Sequence, residues 1–157
     1  MTPQIGITNK HLQKSITLLS PILADEMVLY TKTRKFHWNV SGESFMELHK
    51  LFQGQYTELE ETIDSVAERI SKLGGKTIGT MKEFLDLTRL TESPSLYPLQ
   101  KEMIKELLAD HETVIIHLRK DIEECGEKSK DAGTADFLTG LMEQHETTAW
   151  VLRRYLG

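Results

Sequence analysis

The sequence predicts an all-α fold, a four-helix bundle with one long crossover that carries a short extra helix. Three observations point there. Apolar residues recur at intervals of three and four through most of the chain, and no stretch alternates with the period of a strand. Only 4 prolines and 10 glycines interrupt 157 residues, so the periodicity runs in long blocks. The second and third blocks are separated by roughly two dozen residues, far more than a helical hairpin needs.

The first helix is expected over Asn9 to Asn39, with Leu12, Ile16, Leu19, Leu23, Met27 and Tyr30 along one face. Pro21 lies inside it and is expected to kink the helix or restart it with Ser20 as cap. Ser41-Gly42 is the first punctuation. A second helix is expected from Glu43 to Leu73, with Leu48, Phe52, Leu59, Ile63, Val66 and Ile70 on one stripe and Gly74-Gly75 as the stop. Thr80 followed by Glu83 has the spacing of a capping box, which places a short helix over 81–88. Pro94 and Pro98 close that connection. The third long helix runs from Leu99 to Cys125, with Ile104, Leu107, Leu108, Ile115, Leu118 and Ile122 inward, and is expected to end at Gly126. The fourth runs from Thr134 to Tyr155, with Leu138, Leu141, Leu152 and Leu156 inward. Periodicity alone fits either a crossover bundle or an up-and-down bundle with a decorated loop.

Composition sets outer limits. With 39% apolar and 27% charged residues, the chain reads as one domain spanning residues 1–157. The formal charge of −5 argues against a globally basic nucleic-acid binder. The single cysteine, Cys125, excludes an intrachain disulfide and a cysteine-based zinc site within one chain. There is no transmembrane stretch, and the amino terminus lacks the pattern of a secretory signal, so the expected setting is the cytoplasm.

One constellation carries chemistry. His37 and His49 straddle the first hairpin at similar distances from its turn, so antiparallel helices place them at one level. Asp64 and Glu68 are one turn apart on the second helix. Two imidazoles and two carboxylates suit Fe2+, Mn2+ or Zn2+. His49 and Asp64 are fifteen residues apart on one helix, roughly 22 Å along its axis. They cannot hold one ion within one chain. Both carboxylates also project well away from the Leu48–Ile70 stripe. A site using all four residues must therefore lie between two chains, and a two-fold axis would create two equivalent sites per dimer. Each residue has a plainer reading as well. A histidine on an apolar stripe is more often packing, and Asp64 and Glu68 share a face with Glu60 and Glu61 that solvation alone explains. His111 and His145 read as core, His11 and His117 as surface, and Cys125 as apolar filler.

The run TKTRKFHWNVSGESFMELHKLF, followed by Asp64-Ser-Val-Ala-Glu68-Arg-Ile, resembles the Dps family of ferritin-like proteins, the mini-ferritins. Gly74-Gly75-Lys76, the Gly79 to Leu85 run, Asp131 to Asp136 and the Trp150 region extend the resemblance over nearly the whole chain. It implies a ferritin-like four-helix bundle assembled as a homododecameric shell. It implies a ferroxidase that oxidises Fe2+ with hydrogen peroxide, or dioxygen, between two-fold-related subunits and stores ferric mineral, relieving oxidative stress. It implies His37 and His49 from one subunit and Asp64 and Glu68 from the other as iron ligands, with zinc as a possible substitute. Trp38 matches the tryptophan beside the site and would supply an electron when one iron is bound.

The same resemblance implies pores lined by acids near the start of the last helix, matched here by Asp131, Asp136 and, two turns on, Glu143. Capping of that helix is the plainer role for such acids. Relatives often carry mineral-nucleating acids after the second histidine. Lys50, Gln53 and Gly54 stand there, leaving Glu58 and Glu61 as substitutes. DNA binding, with nucleoid association, is the alternative function. It is disfavoured because the amino-terminal region offers only Lys10 and Lys14, and the last residues are Arg153-Arg154-Tyr-Leu-Gly.

Overall fold

The computed structural model describes residues 2–157. Its elements are α1 (Asn9–Asn39), α2 (Phe45–Lys72), α3 (Met81–Leu87), α4 (Gln100–Glu123), a π-helical turn (Glu124–Lys128) and α5 (Ala132–Leu156). Among the described residues there is no strand.

α1 starts at the Thr8 cap, whose Oγ1 accepts from the His11 backbone N–H. It then runs through Pro21 without a break, which corrects the expected restart. The Ser20 hydroxyl caps nothing and donates back to the Ile16 carbonyl at 3.2 Å, as hydroxyls do inside a helix. Leu19, Ile22 and Leu23 flank the proline and are fully buried. Their packing offsets the roughly 3 kcal/mol that an interior proline costs a helix. α2 ends where expected. Gly74 has φ +86°, its N–H bonds the Ser71 carbonyl, and the Gly75 N–H bonds the Ile70 carbonyl. A β-carbon at Gly74 would stand 2.7 Å from Pro3 Cδ, so glycine is required there twice over.

Gly126 does not end α4. The helix widens into the π turn and stops at Ser129, whose N–H reaches the Glu124 carbonyl at 3.2 Å, with Lys130 at φ 52°. The wider turn holds Cys125 fully buried, its Sγ beside Ser15 Oγ at 3.6 Å and the Asp131 carbonyl at 3.7 Å. α5 begins two residues earlier than expected because Asp131 supplies the cap.

Two contacts decide the connectivity that periodicity left open. The Gln100 side chain stands 3.2 Å from the position a Gly42 β-carbon would occupy, so α4 begins beside the α1–α2 hairpin. At the other end of α2, Arg69 bonds Thr134 and Asp131 at the start of α5. The crossover therefore travels back along the whole 28-residue length of α2, about 42 Å. α2 and α4 run parallel, as in a ferritin-like bundle with one long crossover.

Buried polar groups fasten that crossover. Asp25, fully buried on α1, accepts from the Arg89 backbone N–H at 2.6 Å, Arg89 Nε at 2.7 Å and Thr88 Oγ1 at 2.9 Å. Arg89 Nη1 continues to Asp121 on α4 at 2.8 Å. Two turns further along α1, Lys32 Nζ reaches Asp110 at 2.6 Å, Glu106 at 3.0 Å and the Thr91 carbonyl at 2.8 Å. Burial raises the Asp110 carboxyl above its ordinary value, although Lys32 pulls the other way.

Candidate metal centre

The antiparallel packing of α1 and α2 brings His37 and His49 into contact, as their positions about the turn predict. Their rings stack with centroids 3.8 Å apart and planes 18° apart. His37 Nδ1 lies 2.8 Å from the His49 carbonyl, and His49 Nδ1 lies 3.0 Å from the His37 carbonyl. A carbonyl oxygen only accepts, so each ring must carry its proton on Nδ1. Both Nε2 lone pairs are then left over, and neither Nε2 bonds any group among the described residues. This is how metal-ligating histidines are oriented: the distal N–H is tied to a carbonyl and the other nitrogen faces the ion.

The carboxylates lie elsewhere on the chain. Asp64 and Glu68 are exposed on the outer face of α2. Glu68 pairs with Lys72 at 2.9 Å, and that hydrogen bond and charge hold its carboxyl below the ordinary value. Among the described residues no three His, Cys, Asp or Glu side chains gather into a group able to hold a metal. One chain thus holds two separate half-sets of ligands, exposed carboxylates on α2 and a histidine pair in which His37 is buried and His49 half-buried. Trp38 is 66% exposed beside the histidines, with Phe45 and Met46 also exposed, so an uncovered apolar patch borders the histidine pair.

The acids near the start of α5 separate into two kinds. Asp131 is turned inward and capping. Its Oδ1 accepts from the Thr134 N–H at 3.0 Å, its Oδ2 from the Thr134 hydroxyl at 2.6 Å, and Arg69 Nη2 lies 3.2 Å away. Burial opposes its ionisation, but the bonds from Thr134 and Ser15 and the Arg69 charge leave its carboxyl below the ordinary value. A buried, bonded carboxylate does not line an open channel. Asp136 and Glu143 do face solvent. Asp136 shares a groove of about 490 Å3 between α2 and α5 with Glu58 and Glu61.

The bundle interior holds a cluster that the sequence left as plain core. His111 and His145 are buried, but their Nδ1 atoms meet at 2.9 Å, and His145 Nε2 lies 2.8 Å from Glu26 Oε1. Glu26 Oε2 and His111 Nε2 have no partner. Burial, and then the neighbouring His145, push the His111 pKa well below 6.5. His11 and His117 are half-buried rather than on the surface.

Comparison with known proteins supplies the family. The ferritin-like domain family matches residues 16–157. A DNA protection during starvation protein of Bacillus anthracis is 38% identical over 142 residues, covering 90% of this chain and 96% of that one. The chain belongs to the Dps family of ferritin-like proteins. A low temperature-induced protein of Nostoc sp. is 45% identical to this Dps chain over 152 residues, covering 97% of it and 85% of the relative. The crystal structure of a Dps protein from Vibrio cholerae, described as a member of a superfamily of ferritin-like diiron-carboxylate proteins, superposes with a TM-score of 0.92 at 28% identity, covering 99% and 97% of the two chains.

The Dps structure also shows side chains at the histidine pair that the sequence reading passed over. Tyr56 meets the His37 ring edge-on at 5.1 Å, and Arg34 lies over Tyr30, Tyr56 and Trp38. A signal was available. Tyr30 precedes His37 by seven residues and Tyr56 follows His49 by seven, two turns along the same faces.

Proposed function

We propose that this Dps chain is an iron-storage and detoxification mini-ferritin, which oxidises Fe2+ at sites shared by two-fold-related subunits and keeps the ferric product inside a homododecamer. The observation that carries the reading is the reciprocal pair of Nδ1–H to carbonyl bonds, which frees both Nε2 atoms for a metal. The description of the Vibrio cholerae relative as diiron-carboxylate supports iron as the substrate.

His37 and His49 of one subunit and Asp64 and Glu68 of the other bind Fe2+. Soft-borderline imidazoles take the ferrous ion, and hard carboxylates favour the ferric product. So few protein ligands leave positions open for a second iron and for peroxide. Two Fe2+ then give one electron each to one hydrogen peroxide, which with two protons leaves two Fe3+ and two waters. No hydroxyl radical forms in that sequence. Trp38 covers the site within the interface. Asp136 and Glu143 admit Fe2+ by their charge, and Glu58 and Glu61 offer oxygens to the growing mineral. Asp131 is left with a capping role.

The test is stopped-flow oxidation of Fe2+ by peroxide with the metal-free protein. The expected result is loss of Fe2+ well above the rate in buffer, slowed at least tenfold by His37→Ala or Asp64→Ala in shells of unchanged mass, the size expected when a first-contact group is removed. Oxidation no faster than in buffer overturns the reading. Disassembly of both variants would make these residues interface supports instead.

A further inference from the structure

The Glu26–His145–His111 cluster has no part in the scheme above. Its members come from three helices, α1, α5 and α4, and none is more than 2% exposed. Burying a carboxylate and two imidazoles costs stability unless every donor and acceptor is matched. Here the two ends of the chain are unmatched. Glu26 Oε2 and His111 Nε2 have no partner among the described residues. A polar chain left open at both ends, in the middle of an apolar bundle, asks for a role.

Proton counting gives one. His145 Nε2 lies 2.8 Å from Glu26 Oε1, a bond that holds one proton. The two Nδ1 atoms lie 2.9 Å apart, and that bond also holds one proton, because one ring must donate and the other accept. A further proton can enter at His111 Nε2 without breaking either bond, and the Glu26 carboxylate then balances its charge. The next proton has no such place. It would put an N–H on both Nδ1 atoms and turn two donors toward each other. It would also set two imidazolium rings, with centroids 5.1 Å apart, in an interior of low dielectric. We propose that the Glu26–His145–His111 chain is an acid latch. It holds α4 against α5 while the two rings share one Nδ1 proton, and it releases them when each ring takes its own.

The surroundings leave the response to this chain. α2 buries no titratable side chain. On α1 the other buried ionisable groups are engaged elsewhere: Asp25 with Arg89, Lys32 with Asp110 and Glu106, and His37 with His49 at the hairpin. His117, six residues further along α4, sits by the Arg89 cluster. On the outer seam of α4 and α5, Arg119 pairs with Glu146 and Arg153 with Glu112. Model glutamates titrate at about pH 4.3 and model imidazoles at about 6.5, so a response centred above pH 5 belongs to imidazole. Burial and the neighbouring His145 already push the His111 pKa well below 6.5. The closed latch thus refuses a proton that the open one accepts, and falling pH shifts the balance toward open.

The experiment is hydrogen exchange of the assembled, metal-free protein from about pH 7 to about pH 5, corrected for the intrinsic pH dependence of exchange. Amides around His111 and His145 should open about tenfold more per pH unit for each proton taken up. Amides in the middle of α2 should stay protected, and helix content by circular dichroism should not change. His111→Gln offers His145 an amide N–H that does not titrate, so its exchange should lose most of the acid response. Glu26→Gln still accepts from His145 but removes the charge that balances the ring proton, so its opening should begin at higher pH. A merely structural cluster would not move the two variants in opposite directions along the pH axis. Arg119→Gln, which breaks an outer pair, should keep the wild-type profile. An acid response of wild-type size in His111→Gln overturns the latch, as does an equal rise of exchange in α2, or no rise by pH 5. Should His111→Gln fail to assemble, the onset in Glu26→Gln decides, and an onset unchanged from wild type overturns the latch.

Discussion

His111 is buried, with His145 as its one hydrogen-bond partner and Glu26 beyond. Its folded pKa is depressed well below 6.5 by that burial and by His145. The unfolded chain binds the proton more readily, so the stabilising effect is fully present above about pH 6.5 and declines as pH falls below it. For one proton the slope is at most about 1.4 kcal/mol per pH unit. Urea denaturation of wild type and His111→Leu between pH 7 and pH 5 should therefore show a shallower acid decline in the variant. Parallel curves would show that His111 does not set the acid decline. Asp131 works in the opposite region. Its depressed carboxyl contributes stability that is lost only as pH falls below the ordinary aspartate range of about 3.9. Near pH 7, Asp131→Ala should cost about 1–2 kcal/mol, the worth of a helix cap, measured by urea denaturation. Nothing in the sequence separated Asp131 from Asp136. Their difference is one of direction: one turns under the first turn of α5, and the other faces out.

Among the elements, the crossover depends most on single contacts. Arg89 holds Asp25 from within and Asp121 from outside, so one side chain ties α1, the crossover and α4 together. Arg89→Ala leaves a fully buried carboxylate without its ion pair, a change that typically destabilises by about 3–5 kcal/mol. Thermal unfolding should shift down accordingly, and hydrogen exchange should rise first around α3. Equal exchange everywhere would mean the crossover is not a separate unit. Thr80 and Glu83 form the capping box that their spacing announced, with Glu83 Oε2 accepting from the Thr80 N–H at 2.9 Å. That local signal was legible because a cap depends on neighbours in sequence. The Asp25–Arg89 pair joins residues 64 apart and has no local signature.

At the scale of the whole molecule, the apolar patch beside the histidine pair and the outward carboxylates are uncovered in a single chain. Light scattering should find a species near twelve times 18.0 kDa. A monomer of 18.0 kDa would remove the shared site. The charge of −5 per chain is multiplied over such a shell, and long-range repulsion of a phosphate backbone follows. Gel-shift assays at low salt should therefore show little retardation of DNA. Strong retardation would favour the nucleoid reading, which the relatives named for DNA protection keep in view.

The sequence by itself determined the four long helices, the short helix in the crossover and the candidate ligands, because helical periodicity, caps and motif spacing are local properties. Tertiary structure decided the rest. Packing around Leu19, Ile22 and Leu23 carried α1 through Pro21, and the contact of Gln100 with the Gly42 turn chose a crossover over an up-and-down path. The Nδ1–H bonds across the hairpin set the tautomers that leave two imidazole nitrogens free, and the heptad-spaced tyrosines became a ladder only when α1 met α2. Each of these depends on atoms brought together across helices, where spacing along the chain gives position but not contact.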